Sequence, residues 1–322
     1  MITQPRKMLI TILMLTLLSS LLTSCSTESP AAMPSAQVTR FVLDLSGSND
    51  ANDQYARLKP AIYSELKMES IGNPYGASLS GPVDLSMTFI VGSASQARVE
   101  VIANSEFGFK LYDDLRKVYG RSELQIKQDW ALIVAADRIA IDKGLSTDLA
   151  SCTNEVFTTM TSRLGEKTSR EIAKRLCVRS IEITDTIEYQ VPKSILLSTG
   201  SDIFGAFREI DTWAEKVRAI SSDSKIKVVF ASDMVHWTNG QRDLLGTRGL
   251  ITGKIGKDEI CSIAKNQAML SALKLSDVTV DIIGRGNSSS VSADQGEALS
   301  IFWKCFAESS GFELNTMTDG RS

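Results

Sequence analysis

A chain of 322 residues with 43% hydrophobic and 23% charged side chains is long enough for one large α/β domain, or for a domain carrying a sizeable insertion, and is too apolar to be disordered throughout. Its formal net charge of −3 argues against nonspecific nucleic-acid binding, which needs basic surface to neutralise phosphates.

The first residues do not read as part of that domain. Arg6 and Lys7 precede an apolar run from Met8 to Leu22, shorter than the roughly 20 residues a spanning helix requires and suited to a signal-peptide core. The run meets Leu22-Thr23-Ser24-Cys25, which resembles a bacterial lipobox. That resemblance implies a signal peptide over residues 1–24, acylation of Cys25, and a protein lipid-anchored to a membrane of the cell envelope, facing the periplasm or the exterior. Each buried acyl methylene would contribute about 0.8 kcal/mol to anchoring. An ordinary secretory peptide with an incidental cysteine, or an uncleaved anchor, are the alternatives. Residues 26–37 are small, polar and interrupted by proline, as in a solvated tether, reaching roughly 40 Å if extended.

From residue 38 the pattern becomes regular. A short apolar run over 38–45 predicts a buried strand, and Tyr55, Leu58, Ile62 and Leu66 recur at helical spacing over 52–67. Pro74 and Gly76 mark a loop, followed by strands over 84–92 and 98–103. The middle of the chain is helical. Leu111, Leu115 and Val118 predict one helix that Gly120 stops, and Ser122-Glu123-Leu124-Gln125 is a capping-box pattern opening a second, whose stripe is Trp130, Ile133, Val134 and Ile141. Further helices are expected over 148–164 and 168–177. Strand and helix then alternate again: strands over 226–232, 277–283 and, at an edge, 312–317; helices over 257–273 and 292–309. This order predicts an α/β domain over 38–317, doubly wound, with a mostly parallel sheet flanked by helices and a helical insertion at about 104–190.

Beyond Cys25 the chain has Cys152, Cys177, Cys261 and Cys305. An exported chain meets oxidising conditions, so two disulfides are expected, with 152–177 and 261–305 preferred among the three connectivities. Zinc is disfavoured, because no Cys-x-x-Cys pair is present and the chain has a single histidine.

Ligands of such sheets sit beyond the carboxyl ends of the strands. Three loops there carry oxygen donors: Asp44, Ser46 and Ser48 after the first strand; Thr199, Ser201 and Asp202 ahead of a helix; and Asp233 after the strand over 226–232. Together they resemble the metal-ion-dependent adhesion site of a von Willebrand factor type A domain, which carries Asp-x-Ser-x-Ser, then a threonine loop, then a later aspartate. The resemblance covers roughly 38–103 and 192–317. It implies a hard divalent cation, Mg²⁺ or else Mn²⁺ or Ca²⁺, held by Asp44, Ser46, Ser48, Ser201 and Asp233, with a vacancy for an acidic side chain of a protein partner. It therefore implies ligand capture rather than turnover. Ser201 stands where the family usually has threonine, with Thr199 a second candidate, and Asp233-Met234 stands where it often has Asp-Gly.

Three other readings compete. The first loop also reads as a plain strand-to-helix turn, with Ser48 or Asn49 capping the helix and Asp44 paired to a neighbour, in a metal-free structural or scaffolding lipoprotein. A hydrolase would have to use His236 with Ser46 or Ser48, and no Gly-x-Ser-x-Gly elbow is present. Gly284-Arg285-Gly286 after a strand reads as a phosphate cradle or as an ordinary loop.

Overall fold

The strand β1 (Gln37–Asp44) lies at the centre of a six-stranded sheet and determines where everything else packs. The computed structural model describes residues 37–45, 51–69, 71, 85–90, 99–103, 106–144, 148–195, 200–220, 222, 224–236, 244–245, 251, 255–285 and 291–319. Ser35–Ser322 form one compact unit, and Met1–Pro34 lie outside the described residues. The expected signal peptide, Cys25 and nearly all of the tether therefore fall outside them, as do Ser46, Ser48 and Thr199. No described helix is long and apolar enough to cross a membrane.

After β1 come α1 (Ala51–Glu69), β2 (Leu85–Ile90) and β3 (Val99–Ala103). The second half of the domain contributes α6 (Ile203–Ile220), β4 (Lys225–Ala231), α7 (Lys257–Ser271), β5 (Val278–Arg285), α8 (Ala293–Ser310) and β6 (Glu313–Asp319). The strand order is β3-β2-β1-β4-β5-β6. All neighbouring strands run parallel except β2 and β3, which are antiparallel. The chain thus winds outward from β1 to one edge, returns to the centre, and winds outward from β4 to the other. This is the doubly wound order, and the reversal between β1 and β4 is its topological switch point.

Alternation along β1 sends side chains to two cores. Phe41 and Leu43 pack with Leu58, Ile62 and Leu66 of α1, all four expected α1 positions being buried. At about 1.5–3 kcal/mol per fully buried side chain, this face alone holds α1 to the sheet. Val42 faces the other way, into a core with Phe207 of α6, Phe230 of β4, and Phe302, Trp303 and Phe306 of α8. The disulfide Cys261–Cys305 ties α7 to α8.

The insertion consists of α2 (Glu106–Lys117), α3 (Glu123–Gly144), α4 (Leu149–Leu164) and α5 (Glu166–Asp185). It has its own core, including Leu111, Ile133, Val156, Met160 and Leu176, with the buried disulfide Cys152–Cys177 inside it. Both expected pairings are formed. Its helix ends follow local chemistry: Gly120 has φ +63° after α2, Ser122 and Gln125 exchange the two capping-box hydrogen bonds at 3.3 and 2.9 Å, and Asp148 caps α4 by accepting from Ser151 N at 2.8 Å.

Two local expectations are corrected. Val118 does not join the buried stripe of Leu111 and Leu115; it lies one residue past the end of α2 and is 69% exposed. The helix expected over 168–177 is twice as long, because Gly165 at φ +80° separates it from α4 and no breaker follows Cys177. It continues through a π-helical turn, Thr186–Gln190, and a last turn, Val191–Ser194. Ile183, Ile187 and Val191 thereby reach the core beneath α1, joining insertion to sheet.

Candidate functional site

The switch point brings together the ends of β1 and β4 and the head of α6. Leu43 pairs with Ala231 and Asp44 follows directly, so Asp44 and Ser232 leave the sheet side by side. Asp44 is fully buried, and its Oδ2 accepts two hydrogen bonds, from Ser201 Oγ and Ser232 Oγ, each at 2.7 Å. These lengths are typical for hydroxyl donors to a carboxylate. Three segments far apart in the chain are pinned to one oxygen.

Ser232 was invisible as a site residue in the sequence, beyond being a small polar residue between a strand and an acid. It acts in both directions: its hydroxyl donates to Asp44, and its Oγ accepts from Met234 N at 2.9 Å. The next residue, Asp233, is also fully buried, and its Oδ1 accepts from Val235 N at 2.9 Å. Met234 between them has φ +61°, the left-handed conformation that suits glycine and strains other residues. This is the position where the resemblance expects glycine. Met234 tolerates it because its side chain is buried in the core of α6 and α8, and Trp303 Nε1 donates to its carbonyl at 3.1 Å.

Ser201 precedes α6, and Asp202 caps that helix by accepting from Gly205 N at 2.8 Å. Around Asp202 stand His236 Nδ1 at 3.8 Å and Arg208 at 3.9 Å, both beyond hydrogen-bond length. His236 is 1% exposed, with its ring centroid 4.5 Å from that of Phe204. About two turns along α6, burial pushes the Glu209 carboxyl above its usual range; Asp202 reinforces the shift, while Arg40 and Arg208 oppose it.

Of the five ligands that the resemblance implies, Asp44, Ser201 and Asp233 are described. Asp44 and Ser201 are in direct contact, and Asp233 adjoins the other hydroxyl donor, with its own carboxylate turned to the backbone of its loop. The donor chemistry, two carboxylates with hydroxyls, suits a hard cation such as Mg²⁺. Among the described residues, no three His, Cys, Asp or Glu side chains converge as a metal-binding group. Of the glycine-arginine segment, Gly284 and Arg285 belong to β5, and Gly286 lies outside the described residues. A Cβ at Gly284 would lie 2.5 Å from Gln54 Oε1, so that space is filled by Gln54, and Arg285 donates to Gly296 O at 3.0 Å.

No protein-family model matches the chain, and no curated protein sequence matches it. Its likeness is to a class of architecture, the Rossmann-like doubly wound α/β domain with an added helical subdomain.

Proposed function

We propose that the chain is a partner-binding scaffold of the cell envelope, anchored through Cys25, whose switch-point rim is held together by hydrogen bonds and works without turnover. The observation that carries this reading is the closure of the rim upon itself. Asp44 Oδ2 is engaged by two serine hydroxyls and Asp233 Oδ1 by a backbone N–H, so the acids have partners without an ion. A buried carboxylate satisfied in this way fixes the relative positions of β1, β4 and α6, which gives a partner a rigid surface.

One observation favours a second reading, in which the rim holds a divalent cation in the manner of a von Willebrand factor type A domain. Ser201 spends its hydroxyl proton on Asp44, which leaves the lone pairs of its oxygen available to a cation. Asp44, Ser46, Ser48, Ser201 and Asp233 would hold the ion, and it would supply an electrophilic vacancy for a partner's carboxylate.

Retention of partners from solubilised envelope, with and without a chelator, separates the two. The scaffold reading expects the same proteins in both cases. Release by the chelator, restored by added magnesium, would favour the cation, and hydrolysis lost in His236→Ala would favour an enzyme.

A further inference from the structure

A cleft of about 500 Å³ opens where the insertion meets the edge strand β3, within the size range of sites for small ligands and short peptide segments. One face of α5 lines it along its length, and Phe107 and Lys110 of α2 contribute to the lining as well. Ile102, Phe107 and Ile183 supply apolar surface, and Val178, 37% exposed, extends it to the rim.

The charges of the lining are ordered. Along α5, Glu171 and Glu182 are about 16 Å apart on the helix axis, Lys174, Arg175 and Arg179 lie between them in the sequence, and Lys110 of α2 lines the same cleft. The two arginines are fixed from behind. Arg175 pairs with Asp114 at 2.8 Å and Arg179 with Asp137 at 3.2 Å, and their guanidinium carbons lie 5.9 and 4.9 Å from the Phe107 ring centroid. Lys110 and Lys174 are exposed and make no ion pair among the described residues. In a chain of net charge −3, the lining of one cleft thus holds two ammonium groups without an ion pair among the described residues, beside apolar side chains and two acids.

We propose that this cleft binds an extended segment of a partner protein, with acidic side chains at its centre, apolar side chains beside them, and basic residues at its ends. About five extended residues span the distance between Glu171 and Glu182. The central acids meet Lys110 and Lys174, the apolar side chains cover Phe107 and Val178, and the terminal bases meet Glu171 and Glu182. This deepens the partner-binding reading above, on which it rests, by adding a second contact surface on the insertion.

The test uses the full chain in detergent and a fluorescein-labelled hexapeptide, lysine-leucine-glutamate-glutamate-leucine-lysine, followed by anisotropy. Saturable binding is expected, about tenfold weaker in the double variant Lys110→Glu, Lys174→Glu, because each reversal turns an attraction into a repulsion. Lys265→Glu, an exposed charge reversal on α7, should bind like the unaltered chain. No saturable binding, equal binding by the double variant, or full displacement of the probe by inorganic phosphate would overturn the proposal. Failure of the probe while partners are still retained from envelope would remove the cleft and leave the scaffold reading. The opposite pattern would remove that reading and leave the cleft.

Discussion

Ser201 and Asp44 are 157 positions apart in the chain and 2.7 Å apart in the fold, hydroxyl donating to carboxylate in a site closed to solvent. The contact joins the head of α6 to the end of β1, so it reports directly on whether the switch point is assembled. Ser201→Ala removes one hydrogen bond to a charged group, and a loss of about 1.5–3 kcal/mol is expected. Asp44→Ala strands two buried donors, Ser201 and Ser232, and should cost more than Ser201→Ala does. Urea midpoints at an unchanged slope would measure both, and a neutral Asp44→Ala would show that the carboxylate holds nothing together.

Met234 combines a strained backbone with a buried side chain, and the two effects oppose each other in Met234→Gly. Relief of the left-handed conformation favours the variant by about 1 kcal/mol, whereas loss of a buried methionine costs about 2–5 kcal/mol. Packing wins, and Met234→Gly should be destabilised on balance. A variant more stable than the parent in urea would mean that strain dominates this turn.

Within the insertion, Arg179 and Asp137 form an ion pair with side-chain exposures of 8% and 1%. Burial lowers the arginine's affinity for its proton, and Asp137 offsets this. Removing one partner leaves an uncompensated buried charge, so Asp137→Ala should lose about 3–5 kcal/mol. Replacing both residues by apolar side chains of similar volume should recover most of that loss. Chemical denaturation of the two variants tests this directly, and equal losses would contradict it.

Alkaline pH should weaken the fold. Burial, reinforced by Glu188, holds the Tyr55 and Tyr63 phenols well above their ordinary value. Burial alone would lower the Lys227 ammonium, but its hydrogen bond to Glu65, together with the charges of Glu65 and Asp281, raises it. All three keep their protons in the folded state where the unfolded chain loses them. Their contribution is complete below the unfolded values near pH 10 and is lost as pH rises through the folded ones. Urea midpoints taken between about pH 8 and pH 11 should fall at the alkaline end, and less steeply in Tyr63→Phe.

The parts of the fold legible in the sequence are those set by short-range patterns. Apolar runs located β1, β4 and β5, helical spacing located the buried face of α1, and the Ser122–Gln125 capping box and Gly120 marked real helix ends. Cysteine count, with export as an expectation, pointed to both disulfides, and each pair lies on helices that pack together. What stayed hidden depends on tertiary register. Ser232 matters because β1 and β4 end level with each other, and Met234 adopts a glycine conformation because α6 and α8 bury its side chain. The extension of α5 through a π turn follows from the need of Ile183 and Ile187 to reach a core formed by strands distant in the chain. Of the candidate site, the sequence singled out Asp44 and Ser201, which meet, and Asp233, which adjoins Ser232, and it missed Ser232 as the second donor to Asp44.

Thermal unfolding of the full chain with chelator and with saturating magnesium tests most directly whether the rim stands on hydrogen bonds alone. A ligand that binds only the folded state raises the melting temperature by mass action. Coincident curves are expected for the unaltered chain, with a lower melting temperature for Ser201→Ala in both buffers alike. A magnesium-dependent rise that saturates, and that disappears in Ser201→Ala, would contradict the self-sufficient rim and assign Asp44, Ser201 and Asp233 to a cation.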